Sequence, residues 1–517
     1  MQHSTSLPYA FFHKPKRLPW AVCLCLGLQT WSVQANVNVA QALPPVCQVS
    51  VSSGYCQVIG DDAVVTLMPS PVAPPFALPA FESFERPFAT TSLWNSRPQR
   101  VVFGTTVIPE SSYFPKVGPG NYSTSAFLAQ PGDSAMVVYG PADRPGIWNP
   151  DAEAHVASIT VPRWPADVLP ATGTDGHADI VDTEQGVIHS FFQLKKSTDG
   201  RWTATQYAWT KLNGRGWGDG AHYFQGARAA AVPSMAGLIR QHEINDGASQ
   251  YYHALAMSLT FNGMSNTEQY VFPATSGDTS YIKNSGEIPT GALLMLPPSF
   301  DASSIENAAL RKVVNTLKTY GAYVVDRNVG TPFYIYVDNG ADFNLHEGGW
   351  NSRVASDLQR IRAALREVVA ADGWVDGHGR AIASQAPLNI LSMRGPWRNV
   401  RSSSVLPVFN TLAQSVEFGA TVKQEWAENA SGRVFSGVQW ARPVKGKQYE
   451  FRVESTNGGR AYLRFWGGGA EQFNTRALGN GESFRFFWPM VDGIPILGAV
   501  SGIGEGTRVR AQLVPVE

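Results

Sequence analysis

TDGHADIVDTEQGVIHSFFQ, residues 174–193, decides the fold class. Polar and apolar residues alternate through its first half, a Thr183-Glu-Gln-Gly186 turn follows, and a second apolar, β-branched run returns. Two strands with a tight turn between them form a β-hairpin. The same rhythm of short apolar runs cut by Gly, Pro, Asn and Asp extends on either side, with strands expected at 154–161, 177–181, 186–194, 202–209, 252–260 and 292–296. Helical spacing occurs twice. Ser303-Ser-Ile-Glu306 reads as a capping box ahead of Ile305, Ala309, Val313, Leu317 and Tyr320, and Gly321 ends the pattern before a strand at 322–325. Leu358, Ile361, Leu365 and Val368 mark a second helix over 354–371, with Gly373 beyond its end. The expected fold is therefore mainly β: a large, jelly-roll-like β-sandwich domain with a few packing helices, and a smaller C-terminal β-sandwich.

The 517 residues are enough for more than one domain, and 49 Gly, 35 Pro and 16% charged residues exclude a coiled coil or a disordered chain. Lys plus Arg equals Asp plus Glu at 41 each, so nothing offers a phosphate backbone the basic surface that nucleic-acid binding needs. Lys14, Lys16 and Arg17 precede an apolar run at 18–28, and Val33 and Ala35 are the small residues of a cleavage site, so residues 1–35 read as a secretory signal peptide. That run is too short to span a bilayer, and membrane insertion is not expected. Without the leader the chain carries 38 basic and 41 acidic side chains, a net charge of −3. Cys47 and Cys56 then remain, two cysteines in an oxidising compartment, and are expected to form a disulfide. Five prolines in the twelve residues 68–79 read as an extended linker, giving a disulfide and linker segment at 36–83, a main domain at 84–394 and the C-terminal sandwich at 395–517. In the last, Tyr449, Phe451 and Val453, then Ala461, Leu463 and Phe465, alternate inward, which leaves Tyr462 and Trp466 out of phase and available to stack on sugar rings.

Two constellations carry chemistry. On a strand, Asp175, His177 and Asp179 project from one face, and an Asp beside an imidazole raises its basicity and sets its tautomer. Asp175 and Asp179 would lie about 13 Å apart at Cα on a regular strand, too far for a glycosidase carboxyl pair. Proton abstraction by His177 is the easier chemistry. The second is Gly237-Leu-Ile-Arg240 with Glu243, followed by Tyr252 and His253 at the head of a strand. With His189, the two would supply anion recognition and proton transfer in one groove. The Gly-rich stretch from Trp209 through Trp217 to His222 is expected to rim it with indoles, or else to be a surface loop with Trp217 in the core. Gly-x-Ser-x-Gly, His-Glu-x-x-His and a dinucleotide fingerprint are all missing, and no cofactor or metal is expected.

Taken in order, Asp175-Gly-His177, Gly237-Leu-Ile-Arg240 with Glu243 and His253-Ala-Leu255, then Tyr320-Gly-Ala-Tyr-Val-Val-Asp326, resemble an uncharacterised group of secreted bacterial and fungal proteins. The resemblance covers residues 88–345 and carries no reaction with it. The reading that follows is a secreted or periplasmic polysaccharide lyase acting on a uronate-containing glycan by β-elimination. His177 or His253 serves as base, Asp175 or Asp179 orients it, Tyr252 donates a proton, and Arg240 receives the carboxylate, with Glu243, His189, Trp209, Trp217 and His222 lining the substrate groove. The alternatives are a glycoside hydrolase using Asp179, Asp182 or Glu243, and a non-catalytic glycan-binding or envelope protein.

Overall fold

The computed structural model describes residues 65–516 except 383–387, 402–403 and 430–432, and the backbone of Cys47–Val49, Cys56–Ile59 and Val64. The leader and the cysteine side chains lie outside the described residues. Among the described residues the fold is mainly β, with the strands arranged in five sheets and few helices.

A mixed sheet of eleven strands is the frame of the large domain. Toward one edge, Leu255–Thr260 runs parallel to Ala322–Asn328 and antiparallel to Phe333–Tyr336. One face takes the helices Ala308–Thr319 and Ser352–Ala364, whose Leu310, Val313, Leu317, Leu358 and Ile361 pack on Leu255, Met257, Leu294 and Val324. The opposite face presents Ala256, Tyr323, Val325 and Tyr336 to Trp94 and Trp217. Trp217 lies parallel to Trp94 with ring centroids 4.8 Å apart, so it belongs to the core and to no groove rim.

Both helices differ from the sequence reading for local reasons. The backbone N–H and hydroxyl of Ser303 both bond the Asp301 carboxylate, so Ser303 caps nothing; Asn307 is the N-cap, its side chain accepting from the Leu310 N–H at 2.9 Å. The second helix stops at Ala364, and Arg366–Val375 continues as a strand beside Arg97–Phe103. Val368 and Val369 favour the pleat over another helical turn, and Gly373 sits inside that strand.

Residues 126–211 form a small sandwich on the frame. Its six-stranded sheet contains Ala178–Asp182 and Val187–Phe192, paired antiparallel as the hairpin reading requires; its four-stranded sheet contains Met136–Tyr139 and Trp202–Thr203. Ile180, Phe191, Val138, Trp164 and Trp202 fill the space between. The runs 154–161 and 202–209 each break and pass from one sheet to the other, as strands do at sandwich corners. The C-terminal unit is a sandwich of two five-stranded antiparallel sheets with Tyr449, Phe451, Leu463, Phe465 and Trp488 inside. Trp466 is exposed on its outer face, whereas Tyr462 is buried. A Cβ at Gly498 would lie 2.0 Å from the Tyr462 ring, so the phenol lies across that glycine, and its hydroxyl donates to Glu428 at 3.0 Å.

Candidate active site

The loop at 226–240 sets the position of the site. Gly237 adopts φ +67°, and a Cβ there would meet the Trp94 ring at 2.5 Å and the Ala256 nitrogen at 2.6 Å. Only glycine lets the loop press this close to the head of the strand Leu255–Thr260. Ile239 then bridges Val337, and a single helical turn, Gln241–Ile244, carries His242 and Glu243 opposite His253. Between them lies a cavity of about 420 Å³ lined by Arg86, Arg240, His242, Glu243, Tyr252 and His253, with Trp94, Phe88 and Leu238 as apolar wall.

Its electrostatics follow from hydrogen bonding. Nδ1 of His253 faces the Ala254 carbonyl oxygen at 2.9 Å and Nε2 faces the Glu243 carboxylate at 3.2 Å. Both partners are acceptors, so both ring nitrogens donate and the imidazole is cationic. Burial alone would lower the His253 pKa; the Glu243 charge and hydrogen bond overcome it and raise it. Burial likewise works to raise Glu243, but the imidazolium, with the Arg240 N–H donating at 2.9 Å, brings its carboxyl down to about 2. His242 differs: burial lowers its pKa and leaves a neutral ring on the cavity wall.

Glu243 contributes stability above about pH 4.5 that is lost as pH falls towards 2, and His253 contributes stability below about pH 6.5 that is lost as pH rises through its elevated pKa. Glu243→Gln is therefore expected to cost about 2 kcal/mol between pH 4.5 and 6.5, and less on either side. Urea unfolding of both proteins at pH 3, 5.5 and 9 measures this, and a pH-independent loss would contradict it.

The remaining groups are bound or unbound in ways the sequence does not show. Arg240 is anchored in the cavity wall, with Nε donating to Asp338 at 3.2 Å and Nη1 to the Phe84 carbonyl at 3.1 Å. Arg86, a residue of the cavity lining 3.6 Å from the centre of the Phe81 ring, has a buried Nη2 with no hydrogen-bond partner among the described residues. The Tyr252 hydroxyl donates to the Val72 carbonyl at 2.9 Å, and burial raises its pKa to about 12, so its proton is held by the proline-rich segment. Phe76, Leu78 and Pro79 of that segment line the cavity, making it a wall as well as a linker. Tyr252→Phe is expected to cost about 1 kcal/mol of stability and to change turnover less than twofold, a comparison of thermal unfolding and steady-state rate.

The other constellation does not open into this cavity. His177 is 1% exposed and Asp179 fully buried. Nδ1 of His177 lies 2.6 Å from the Ser234 hydroxyl and Nε2 lies 3.8 Å from Asp175. Burial, with Arg228 nearby, lowers the His177 pKa to about 4. Asp179, raised to about 6 by burial, accepts from the Met235 N–H at 2.6 Å. Since Met235 lines the cavity, Asp179 holds the loop that shapes the site and neither abstracts a proton nor meets substrate. The strand begins at Ala178, and Gly176 turns with φ +46°, so Asp175 and His177 sit in a turn rather than on a strand face. The shared groove is replaced by a shared loop.

His189 and the indoles are also structural. His189 is buried against the Tyr207 hydroxyl at 2.8 Å. Trp209 lies 4.3 Å from His222 with the rings tilted by 35°, and its indole N–H lies 3.3 Å from both Asp151, which pairs with Arg394, and Thr411 of the C-terminal unit, so these groups hold that unit to the small sandwich. Asp182 is buried and bound by Arg163 at 3.0 Å. The sequence reading missed Arg86 and His242. Arg86 follows the linker with no periodic signal, and His242 stands between Arg240 and Glu243, where only those two charged neighbours attract notice.

No protein-family model matches the chain, and no curated protein is similar to it in sequence. Among solved structures, the xylan-binding domain CBM22-1 of Paenibacillus barcinonensis Xyn10C is 12% identical, with 26% of this chain and 99% of that one covered and a TM-score of 0.17. TmCBM61, solved with β-1,4-galactotriose, is 17% identical over 23% and 89% of the two chains, at 0.16. A Streptococcus pneumoniae structure of accessory secretory proteins 1, 2 and 3 is 12% identical over 26% and 100%, at 0.18. Likeness at that level assigns this chain no ligand.

Proposed function

We propose that the protein is a secreted or periplasmic polysaccharide lyase that takes a uronate-containing glycan into the cavity at Arg86, His242 and His253. The observation that carries this reading is Arg86, whose Nη2 has no hydrogen-bond partner among the described residues, lining one cavity with a neutral and a cationic histidine. A carboxylate is the complement of a guanidinium fork with a free donor. The uronate carboxyl group lies next to C5, and binding it to the Arg86 guanidinium, in the field of the His253 imidazolium, spreads the charge that develops when the C5 proton leaves. Neutral His242 accepts that proton. The C5–H electrons form the C4=C5 bond, the C4–O4 bond breaks, and O4 departs with the proton returned by His242. Two histidines whose surroundings push their pKa values apart provide the acid–base asymmetry. Hydrolysis fits less well, because it needs a carboxyl held protonated, and Glu243 is ionised. A separate glycan-binding role for the C-terminal unit rests on exposed Trp466.

Incubation with polygalacturonate, alginate and hyaluronan, followed at the absorbance of unsaturated uronate, tests the reading. A chromophore on at least one of them is expected, and reducing ends without it would mean hydrolysis. The rate is expected to rise as His242 loses its proton below about pH 6.5 and to fall as His253 loses its own above that value, giving a bell-shaped kcat/KM.

A further inference from the structure

One sheet of the C-terminal sandwich consists, in spatial order, of Trp397–Val400, Trp426–Asn429, Gly493–Val500, Arg460–Gly467 and Ala470–Asn474. Along Arg460–Gly467 the residues Ala461, Leu463 and Phe465 enter the core, so Arg460, Tyr462, Arg464 and Trp466 share the outer face. Register carries that face across the sheet. Trp466 stands opposite Ile494 on one side and Glu471 on the other, Tyr462 stands opposite Gly498, and Gly498 stands opposite Glu428, which pairs with Arg398.

Glu428 organises the middle of this face. Its buried carboxylate accepts from the Tyr462 hydroxyl at 3.0 Å, from Arg464 Nη2 at 2.6 Å and from Arg398 Nη2 at 3.0 Å. The two guanidiniums it orients stay open to solvent, with 63% of the Arg398 side chain and 36% of the Arg464 side chain exposed. Arg464 Nη1 lies 4.0 Å from Glu471, the residue facing Trp466, so guanidinium and indole are neighbours on one surface. Their Cα atoms are about 7 Å apart along the strand. Trp466 is 52% exposed, and Ile494 beside it is exposed as well.

Charge and shape together select the occupant. Arg460, Arg464 and Arg398, with Arg401 seated 3.6 Å from the centre of the Trp426 ring, set four guanidiniums on this face against two carboxylates, Glu428 and Glu471. The face is cationic on a chain whose charges balance as a whole. An indole and an isoleucine left in water on a flat sheet cost free energy that the C–H face of a sugar ring recovers, and a guanidinium beside them answers a carboxylate at that ring's edge. We propose that this sheet face is an accessory binding site for an acidic oligosaccharide, in which Trp466 stacks on a uronate ring and Arg464 takes its carboxylate, with Arg398 adding to the positive field. The site rests on the glycan-binding reading of Trp466 and not on elimination in the cavity.

Calorimetric titration of the full-length protein carrying Arg86→Ala, which weakens the cavity, tests this, with trigalacturonate and trimannuronate as probes and their methyl esters as uncharged controls. Binding of at least one acidic trimer is expected, weakened at least tenfold by Trp466→Ala and at least fivefold by Arg464→Gln, with the ester at least fivefold weaker than its acid. Arg464→Gln leaves Glu428 with Arg398 and Tyr462 as partners, and near-ultraviolet circular dichroism checks that each variant is folded. No binding of either acidic trimer, or an affinity unchanged by Trp466→Ala, would overturn the site. An ester bound as tightly as its acid, with no effect of Arg464→Gln, would overturn the acidic class. A Trp466-dependent dimer in sedimentation, without sugar binding, would give the face to a second copy of the chain and overturn the site too. Trp466-dependent binding with no unsaturated product from the wild type on any uronan would uphold the site and end the lyase reading, whereas elimination without Trp466-dependent binding would do the reverse.

Discussion

His242→Ala is expected to reduce kcat on an acidic polysaccharide by 10² to 10⁴-fold, roughly the contribution of a positioned general base, with little change in folding stability. The side chain is exposed on the cavity wall, and no packed neighbour depends on it. Because partial desolvation on the cavity wall lowers its pKa, its ring is neutral near pH 7, and of the two cavity histidines it is the one able to accept a proton there. His253, donating from both nitrogens, has no lone pair to offer. The comparison with His177→Ala is decisive. That variant is expected to lose about 1–3 kcal/mol of stability, because its bond to Ser234 is buried, while keeping its turnover in the folded fraction. Should the His177 variant lose turnover at full stability, and the His242 variant keep it, the catalytic base has been misplaced.

Arg86→Ala is expected to lower kcat/KM by about 10² and to act through both binding and rate, since a carboxylate deprived of its guanidinium loses about 2–5 kcal/mol of a desolvated, charge-assisted contact. Arg86→Lys separates charge from geometry. An ammonium restores the sign but not the fork, and a partial recovery of no more than tenfold is expected. Burial already lowers the Arg86 pKa while the Tyr320 and Glu243 fields support its charge, so an uncharged substitute is not a neutral change for the cavity. Equal kcat/KM in the wild type and Arg86→Ala on every acidic polysaccharide tried would remove the carboxylate-recognition role. Arg240→Ala, by contrast, breaks the pair with Asp338 and is expected to appear as lost stability first.

The residues that misled the sequence reading share one property: their polarity is satisfied internally by partners far away in the chain. Asp179 meets Met235, Trp209 meets Asp151, and Arg240 meets Asp338. A histidine or arginine looks the same in sequence whether its partner is a ligand or a distant carbonyl. Within the second constellation, Glu243 and His253 do meet in the cavity, because their placement depends on a local turn and on the residues just before a strand, but they meet as partners of each other. Spacing failed for Arg86, which enters the cavity only because residues 76–87 fold back along the wall.

The alternation at 178–192, the inward aromatics at 449–465 and the helical stripe at 309–317 specify a β-rich chain with few helices, because periods of two and of three to four decide which face an element buries before any partner is chosen. Charge balance and composition likewise belong to the sequence alone. The tertiary structure decided which polar groups were left without partners. That outcome depends on long-range hydrogen bonds and burial, so Arg86 and His242 became candidates only when Asp338 claimed Arg240, Ser234 claimed His177, and Val72 claimed Tyr252.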